Sequence, residues 1–359
     1  MNTFRKGLSR KDCGLQQRKA GNVCFVGLGW LVLAVALVQF AASQNPDKLQ
    51  LVGVGTTAPL PIYLRWFRAF EKTRSDLHVS YMPSGSQAGV ETVAAGTTDF
   101  GATDAPLTDK QAARAKVVQF ATLLMAIVPT YNVAGVQHPL KFSPRVLAGI
   151  YLGIITKWND PAISALNRDE QLPSSTIAVI HSADGRGSGY IWSDYLSKVS
   201  VEWRTRIGRG LSVEWPVGVE ADGNGNLARM VRETSNSIGF VELAYAVQNQ
   251  LPCGQVQNAA GNFITADSSS IMAAALAARA LPSNVRASIT NPPGDRSYPI
   301  SSFTWILVPG NLEPAKQDAM KDFLRWALNE GQNYAAAAGF TKLPKAIVDQ
   351  ELKTLEGIP

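Results

Sequence analysis

Residues 53–61 read Gly-Val-Gly-Thr-Thr-Ala-Pro-Leu-Pro. A mostly apolar run, Leu49-Gln50-Leu51-Val52, leads in. Ile62-Tyr63-Leu64-Arg65-Trp66-Phe67-Arg68-Ala69-Phe70 leads out with apolar residues at helical spacing. The pattern predicts a strand, a tight glycine turn and the opening of a helix. Gly53 and Gly55 are expected to let the backbone turn sharply. Thr56 and Thr57 supply hydroxyls, and Pro59 suits a first helical turn, where its missing N–H costs nothing. The first N–H groups of a helix lack intrahelical partners, and the helix dipole adds partial positive charge there. Such a turn favours an anion before any side-chain charge is added.

Two later stretches repeat the plan. Residues 83–89, PSGSQAG, follow the strand-like Leu77-His78-Val79-Ser80-Tyr81 and precede a helix. Residues 184–189, DGRGSG, follow Ile177-Ala178-Val179-Ile180 and precede Tyr190-Ile191-Trp192. Three strand–Gly/Ser/Thr–helix turns, far apart in sequence, can aim three helix N-termini at one small anion.

The rest of the chain reads as strands alternating with helices. Strands are expected at 50–54, 77–82 and 99–103, helices at 60–73 and 87–95, and a buried strand over 118–129. Helices at 143–152, 190–197 and 201–208 flank a strand at 177–181. ADGNGN (221–226) is a glycine-rich turn before another helix, and GFVELAYAVQNQ (239–250) is a strand running into a helix. An alanine-rich helix at 266–279, a loop at 291–299 and the strand SSFTWILVP follow. Helices at 315–328, 330–338 and 343–354 end the chain. The natural outcome is an α/β protein with a parallel sheet.

The length of 359 residues leaves room for two domains. The formal charge of +6 is concentrated in the leader. Residues 1–43 hold six of the 34 basic residues and one of the 28 acidic ones, so the remainder carries 28 against 27. That balance excludes a basic nucleic-acid surface. The leader itself reads as an export signal: a basic region, an apolar run from Cys24 to Phe40, then Ala41-Ala42-Ser43, which fits cleavage after Ser43. The alternative is an uncleaved N-terminal anchor. Either way the remainder lies outside the cytoplasm.

Cys253 is the only cysteine beyond the leader, so it has no internal disulfide partner and reads as an inert thiol. His78, His138 and His181 are widely spaced, without nearby cysteines or clustered carboxylates, so no metal is expected. GVGTTA matches a relaxed dinucleotide fingerprint, but an exported protein has little access to such a cofactor and none is expected. No Gly-x-Ser-x-Gly elbow is present, and Ser86 and Ser188 lack an evident histidine partner.

Asp104 is the informative residue. A carboxylate repels an anion, so its place in a site of donors makes sense only when the anion carries a proton, which an ionised carboxylate can accept. Phosphate keeps a proton near neutral pH; sulfate does not. Asp99 and Asp184 are expected to cap turns or hold loops.

From Leu49 to the C-terminus the chain resembles the periplasmic phosphate-binding proteins of phosphate ABC importers. The resemblance rests on GVGTTAPLPIYLRW, SGSQAGV, TTDFGATDAPL, GIYLGIITKWNDPAI, ADGRGSG, GFVELAYAVQNQ and YPISSFTWILV, in this order and spacing. It implies a two-lobe α/β binding protein of type II, hinged by crossover strands. One lobe would be 49–129 plus 298–359 and the other 130–297. It implies a monomer that binds inorganic phosphate, performs no catalysis, and serves membrane permease and ATPase subunits. By motif position, Thr57 would donate a hydroxyl, Ala58 a backbone N–H and Ser86 from the second turn. Asp104 would accept the phosphate proton, and Gly187 and Ser188 would donate from the third turn. The family often has phenylalanine where this chain has Ala58, which keeps the N–H. It commonly has an arginine where this chain has Ser182, and serine where this chain has Arg186, so either that charge is missing or Arg186 replaces it, and Arg186 is counted among the expected phosphate-binding residues. The alternatives are an exported phosphate-ester hydrolase using Ser188 or Ser86, and the same fold carrying another oxyanion, for example arsenate or sulfate.

Overall fold

The structure, a computed structural model, describes residues 48–278 and 286–358. The expected leader lies outside the described residues. Strands β1 (Leu49–Gly55), β2 (Leu77–Met82) and β3 (Phe100–Thr103) run parallel. The helix Leu60–Glu71 follows β1. It buries Ile62, Tyr63, Trp66, Phe67 and Phe70 on one face. These rings join Tyr81, Phe100 and Phe323 in one aromatic cluster. Trp66 Nε1 donates to Gly331 O at 2.7 Å, so its polar atom is paired where it is buried.

Gly53 and Gly55 lie inside β1, not in the turn, and neither has a positive φ. Both are needed for close approach. A Cβ on Gly53 would overlap the Phe100 ring, and one on Gly55 would overlap the Ala102 backbone. The left-handed freedom expected of them is used in the second turn, where Gly85 has φ 109.

β4 (Val117–Asn132) is 16 residues long and almost wholly buried. It is followed by β5 (Lys141–Phe142), β6 (Ala178–Ser182), β7 (Val219–Ala221), β8 (Ser237–Glu242), β9 (Gln255–Gln257), β10 (Phe263–Ile264) and β11 (Ser301–Pro309). Among the described residues the main sheet has the order β2-β1-β3-β11-β4-β8-β6-β7, and β10-β9-β5 form a small separate sheet. The main sheet is mixed rather than parallel: β11 is antiparallel to β3 and β4, and β4 is antiparallel to β8. The cause is that β4 and β11 cross the molecule as long paired strands instead of returning through helical crossovers.

The pairing of β4 changes partner midway. Val117–Ala126 pair with β11, and Ile127–Asn132 pair with β8. The β4–β11 register shifts between Thr304 and Trp305, which leaves Thr122 between paired positions. Such a bulge bends a strand and re-aims side chains. Thr122 Oγ1 donates to Thr304 O at 3.1 Å, so the irregularity strands no hydroxyl. A second aromatic cluster, Tyr151, Trp192, Trp215 and Phe240, packs beyond the switch, with Trp192 and Phe240 stacked at 4.7 Å.

Two further expectations are corrected. Residues 330–338 form two 3-10 segments, Glu330–Tyr334 and Ala336–Ala338, rather than a helix. ADGNGN is not a turn throughout, because the helix Gly223–Glu233 already starts at its third residue. Among the described residues no helix is long and apolar enough to cross a membrane.

Candidate anion site

The three glycine turns are joined by backbone hydrogen bonds. Gly85 N donates to Gly55 O at 2.8 Å, linking the second turn to the end of β1. Gln87 N donates to Gly185 O at 3.0 Å, linking the second turn to the third. Each turn opens a helix: Leu60–Glu71, Ser86–Ala94 and Gly187–Val199. The strands bring these openings to one place, so their orphan N–H groups share a neighbourhood.

Asp104, immediately after β3, is at the centre and wholly buried. Its Oδ1 accepts from Thr304 Oγ1 at 2.7 Å, and its Oδ2 accepts from Thr56 Oγ1 in a short contact. Its backbone N–H donates to Ser86 Oγ at 3.0 Å. Burial pushes the carboxyl up to about 7, against the two hydroxyl donors, which favour the charged form. Glu242 is a second wholly buried carboxyl nearby. Burial pushes it well above the carboxylate range, opposed by backbone N–H donors such as Ala244 and reinforced by Asp104.

The expected site residues fall around this carboxyl. Ser86 is buried and bound to the Asp104 backbone. Gly187 abuts both: a Cβ there would lie 2.5 Å from Asp104 Oδ2 and from Ser86 Oγ. Ser188 is buried beside it in the first turn of its helix. Ala58 is buried, and its N–H donates to Thr56 Oγ1 at 3.3 Å. Thr57 is held from another direction: Tyr245 Oη donates to its carbonyl at 2.8 Å, and Asn224 Nδ2 to its Oγ1 at 3.3 Å.

Arg186 is the N-cap residue of Gly187–Val199. Its side chain turns towards the second turn, where Nη1 would sit 2.9 Å from a Cβ on Gly85. Nη2 pairs with Asp222 in a short contact, and Nε is buried without a partner. Ser182, where the family resemblance expects arginine, is buried with its Oγ against Gly189, so a Cβ on residue 189 would meet it. Asp99 is structural: it accepts from Val52 N–H and from Lys316 Nζ, both at 2.8 Å. Burial, with Glu242 adding, pushes the Cys253 thiol up to about 11, which keeps it a thiol.

Sequence reasoning named Thr56 only as a hydroxyl of the first turn and missed three participants: Thr304, Asn224 and Tyr245. Thr56 stands beside Thr57 and shares its signal. Asn224 lies in ADGNGN, a fourth glycine-rich helix opening. Thr304 and Tyr245 carry no local signal. A surface cleft of about 730 Å³ lined by Arg145, Asp160 and Glu202 shares no residue with this cluster, and its mixed charge gives it no anion preference.

Buried hydroxyls, helix-opening N–H groups and the Asp104 carboxyl gathered at one mixed sheet fit a solute-binding protein of the periplasmic-binding class. The domain model of the PBP superfamily matches residues 41–330. The phosphate-binding protein PstS of Pasteurella multocida is 38% identical over 89% of this chain and 93% of that protein. Its counterpart in Methanocaldococcus jannaschii is 33% identical over 85% of each. The chain belongs to the PstS family. Among solved structures, a high-affinity periplasmic phosphate-binding protein bound with phosphate superposes with a TM-score of 0.66 at 16% identity, over 84% of this chain and 92% of that one. The phosphate-binding protein from Stenotrophomonas maltophilia gives 0.65 at 15% identity, over 85% and 94%. At such identities these two structures speak for the fold.

Proposed function

We propose that the chain is the extracytoplasmic subunit that captures inorganic phosphate for an ABC importer, without catalysis. The observation that carries the reading is Asp104: a wholly buried carboxylate ringed by hydroxyls and helix openings. A site of donors alone takes any small oxyanion. One acceptor among them favours an anion that brings its own proton. Relatives named as phosphate-binding proteins support the same ligand.

In this reading Thr57, Ala58, Ser86, Gly187 and Ser188 donate to phosphate oxygens and Asp104 accepts the phosphate proton. The unpartnered Arg186 Nε supports a place for Arg186 among the donors. Residues 49–129 with 298–359 form one lobe and 130–297 the other, β4 and β11 being the hinge. The partner change at Ala126–Ile127 supports that division. The protein works as a periplasmic monomer and delivers phosphate to permease and ATPase subunits. Calorimetric titration of the purified protein with phosphate and then sulfate tests the reading. Saturable phosphate binding with no sulfate heat is expected; silence towards phosphate, or equal affinity for both, overturns it.

A further inference from the structure

Asn224 is the second residue of the helix Gly223–Glu233 and is buried. Its Oδ1 accepts from Glu242 N–H at 2.9 Å. A backbone N–H only donates, so this contact fixes which end of the amide carries oxygen. Nδ2 is then the group that faces Thr57, and it donates to Thr57 Oγ1 at 3.3 Å. A threonine hydroxyl has one hydrogen and two lone pairs. Asn224 occupies a lone pair and offers no acceptor, so the Thr57 hydrogen must go elsewhere. Tyr245 Oη holds the carbonyl of the same residue at 2.8 Å, which fixes the backbone while the hydroxyl is oriented. Gly223, with φ 80, brings the chain past Thr57: a Cβ there would lie 3.6 Å from Thr57 Cγ2, in a backbone conformation other residues rarely adopt.

We infer that Asn224 is a positioning residue for the anion site: its amide donates to Thr57 and thereby commits the Thr57 hydroxyl to donate to the bound oxyanion. This rests on the phosphate reading above. Asn224 and Thr57 belong to different proposed lobes, so the contact that orients the hydroxyl is made as the lobes meet. Phosphate would then encounter a finished donor only in the closed form. The Glu242 N–H is the fixed reference that keeps the amide from flipping.

Asn224→Asp keeps the shape but turns a donor into an acceptor, which accepts the Thr57 hydroxyl's hydrogen bond and adds a negative charge. Phosphate affinity is expected to fall on the order of tenfold to a hundredfold. Asn224→Ala should cost about tenfold in the parent but less than about twofold in a Thr57→Val background, because coupled groups are non-additive. Calorimetry with inorganic phosphate reads the four proteins of that cycle. Thermal unfolding in phosphate-free buffer checks that each is folded. A purely structural asparagine would cost the same in both backgrounds, and that result overturns the inference. So does Asn224→Asp binding phosphate as the parent does. A parent that takes no phosphate at all sinks the functional reading, and this one with it; a parent that binds while the substitutions add independently sinks this one alone.

Discussion

Gly187 faces Asp104 so closely that a Cβ on residue 187 would lie 2.5 Å from the carboxylate Oδ2. The third turn is therefore seated on the carboxyl of the first section, with Ser86 Oγ at the same 2.5 Å. No real Cβ tolerates that distance, and the neighbours are buried and hydrogen-bonded, so they have little room to give.

Gly187→Ala should hold the third turn away from Asp104. Overpacking of this kind costs about 1–3 kcal/mol. The strain arises only where the two sections touch, so it should appear as a loss of about tenfold or more in phosphate affinity. The melting temperature in phosphate-free buffer should move less than the affinity implies. Titration of the alanine variant at parental strength would refute the seating.

Thr304 should matter although it touches Asp104 from the crossing strand. Its hydroxyl donates to Oδ1 at 2.7 Å, and a hydrogen bond to a charged group contributes about 1.5–3 kcal/mol. Thr304→Val keeps the β-branched shape and removes the donor. The ionised carboxylate loses support, so the Asp104 carboxyl should rise further. The pH at which phosphate binding starts to weaken on acidification should shift upward. A pH series of titrations checks this, and an unchanged profile would mean that Thr56 alone holds the carboxylate.

The glycine turns were legible because Gly, Ser and Thr between an apolar run and a helical pattern have few other uses. Asp104 was legible because a carboxylate among donors demands a reason. The mixed sheet was not: β11 is buried along all nine residues, so its sequence carries no alternation to reveal its direction or the inward place of Thr304. Gly53 and Gly55 were read as turn residues because Phe100 and Ala102, whose closeness requires them, lie far along the chain. Asn224 sat in a stretch recognised only as glycine-rich, and nothing local announces that Glu242 N–H fixes its amide. Partners set by tertiary contact leave no mark on neighbouring residues.

Asp104 should also govern stability and selectivity against pH. Burial raises its carboxyl from 3.8 to about 7 in the folded protein. The folded state thus holds a proton that the unfolded chain releases, and the associated stability is full below about pH 4 and lost as pH rises through about 7. Asp104→Asn has no such term. Its melting temperature relative to the parent should be more favourable at about pH 8 than at about pH 4. Asp104 also pushes the Glu242 carboxyl up, so its loss relieves Glu242 and acts in the same direction. Sulfate should gain on phosphate in the variant, because the amide can donate to an unprotonated oxygen. Equal pH dependence in parent and variant would show that the carboxyl titrates normally.

Arg186 is the last case. A buried dianion is better compensated by a guanidinium than by hydroxyls, and arginine can grip two oxygens. Arg186 stands at the opening of the third helix, with its Nε buried and unpartnered and its Nη2 tied to Asp222. Asp222 is largely exposed, at 64%, so it holds the guanidinium in place without cancelling its charge in a dry setting. Arg186→Ala should weaken phosphate binding by about 2–5 kcal/mol, as when one partner of a buried charge pair is truncated. Asp222→Ala should cost less than about 1 kcal/mol if the ion pair is only a tether. Arg186→Lys should recover part of the charge but not the fork, so it should fall between parent and alanine. Titration of the three variants with phosphate decides between the roles. An alanine variant that binds as the parent does would make Arg186 a surface partner of Asp222 and leave the site to its hydroxyls and helix openings.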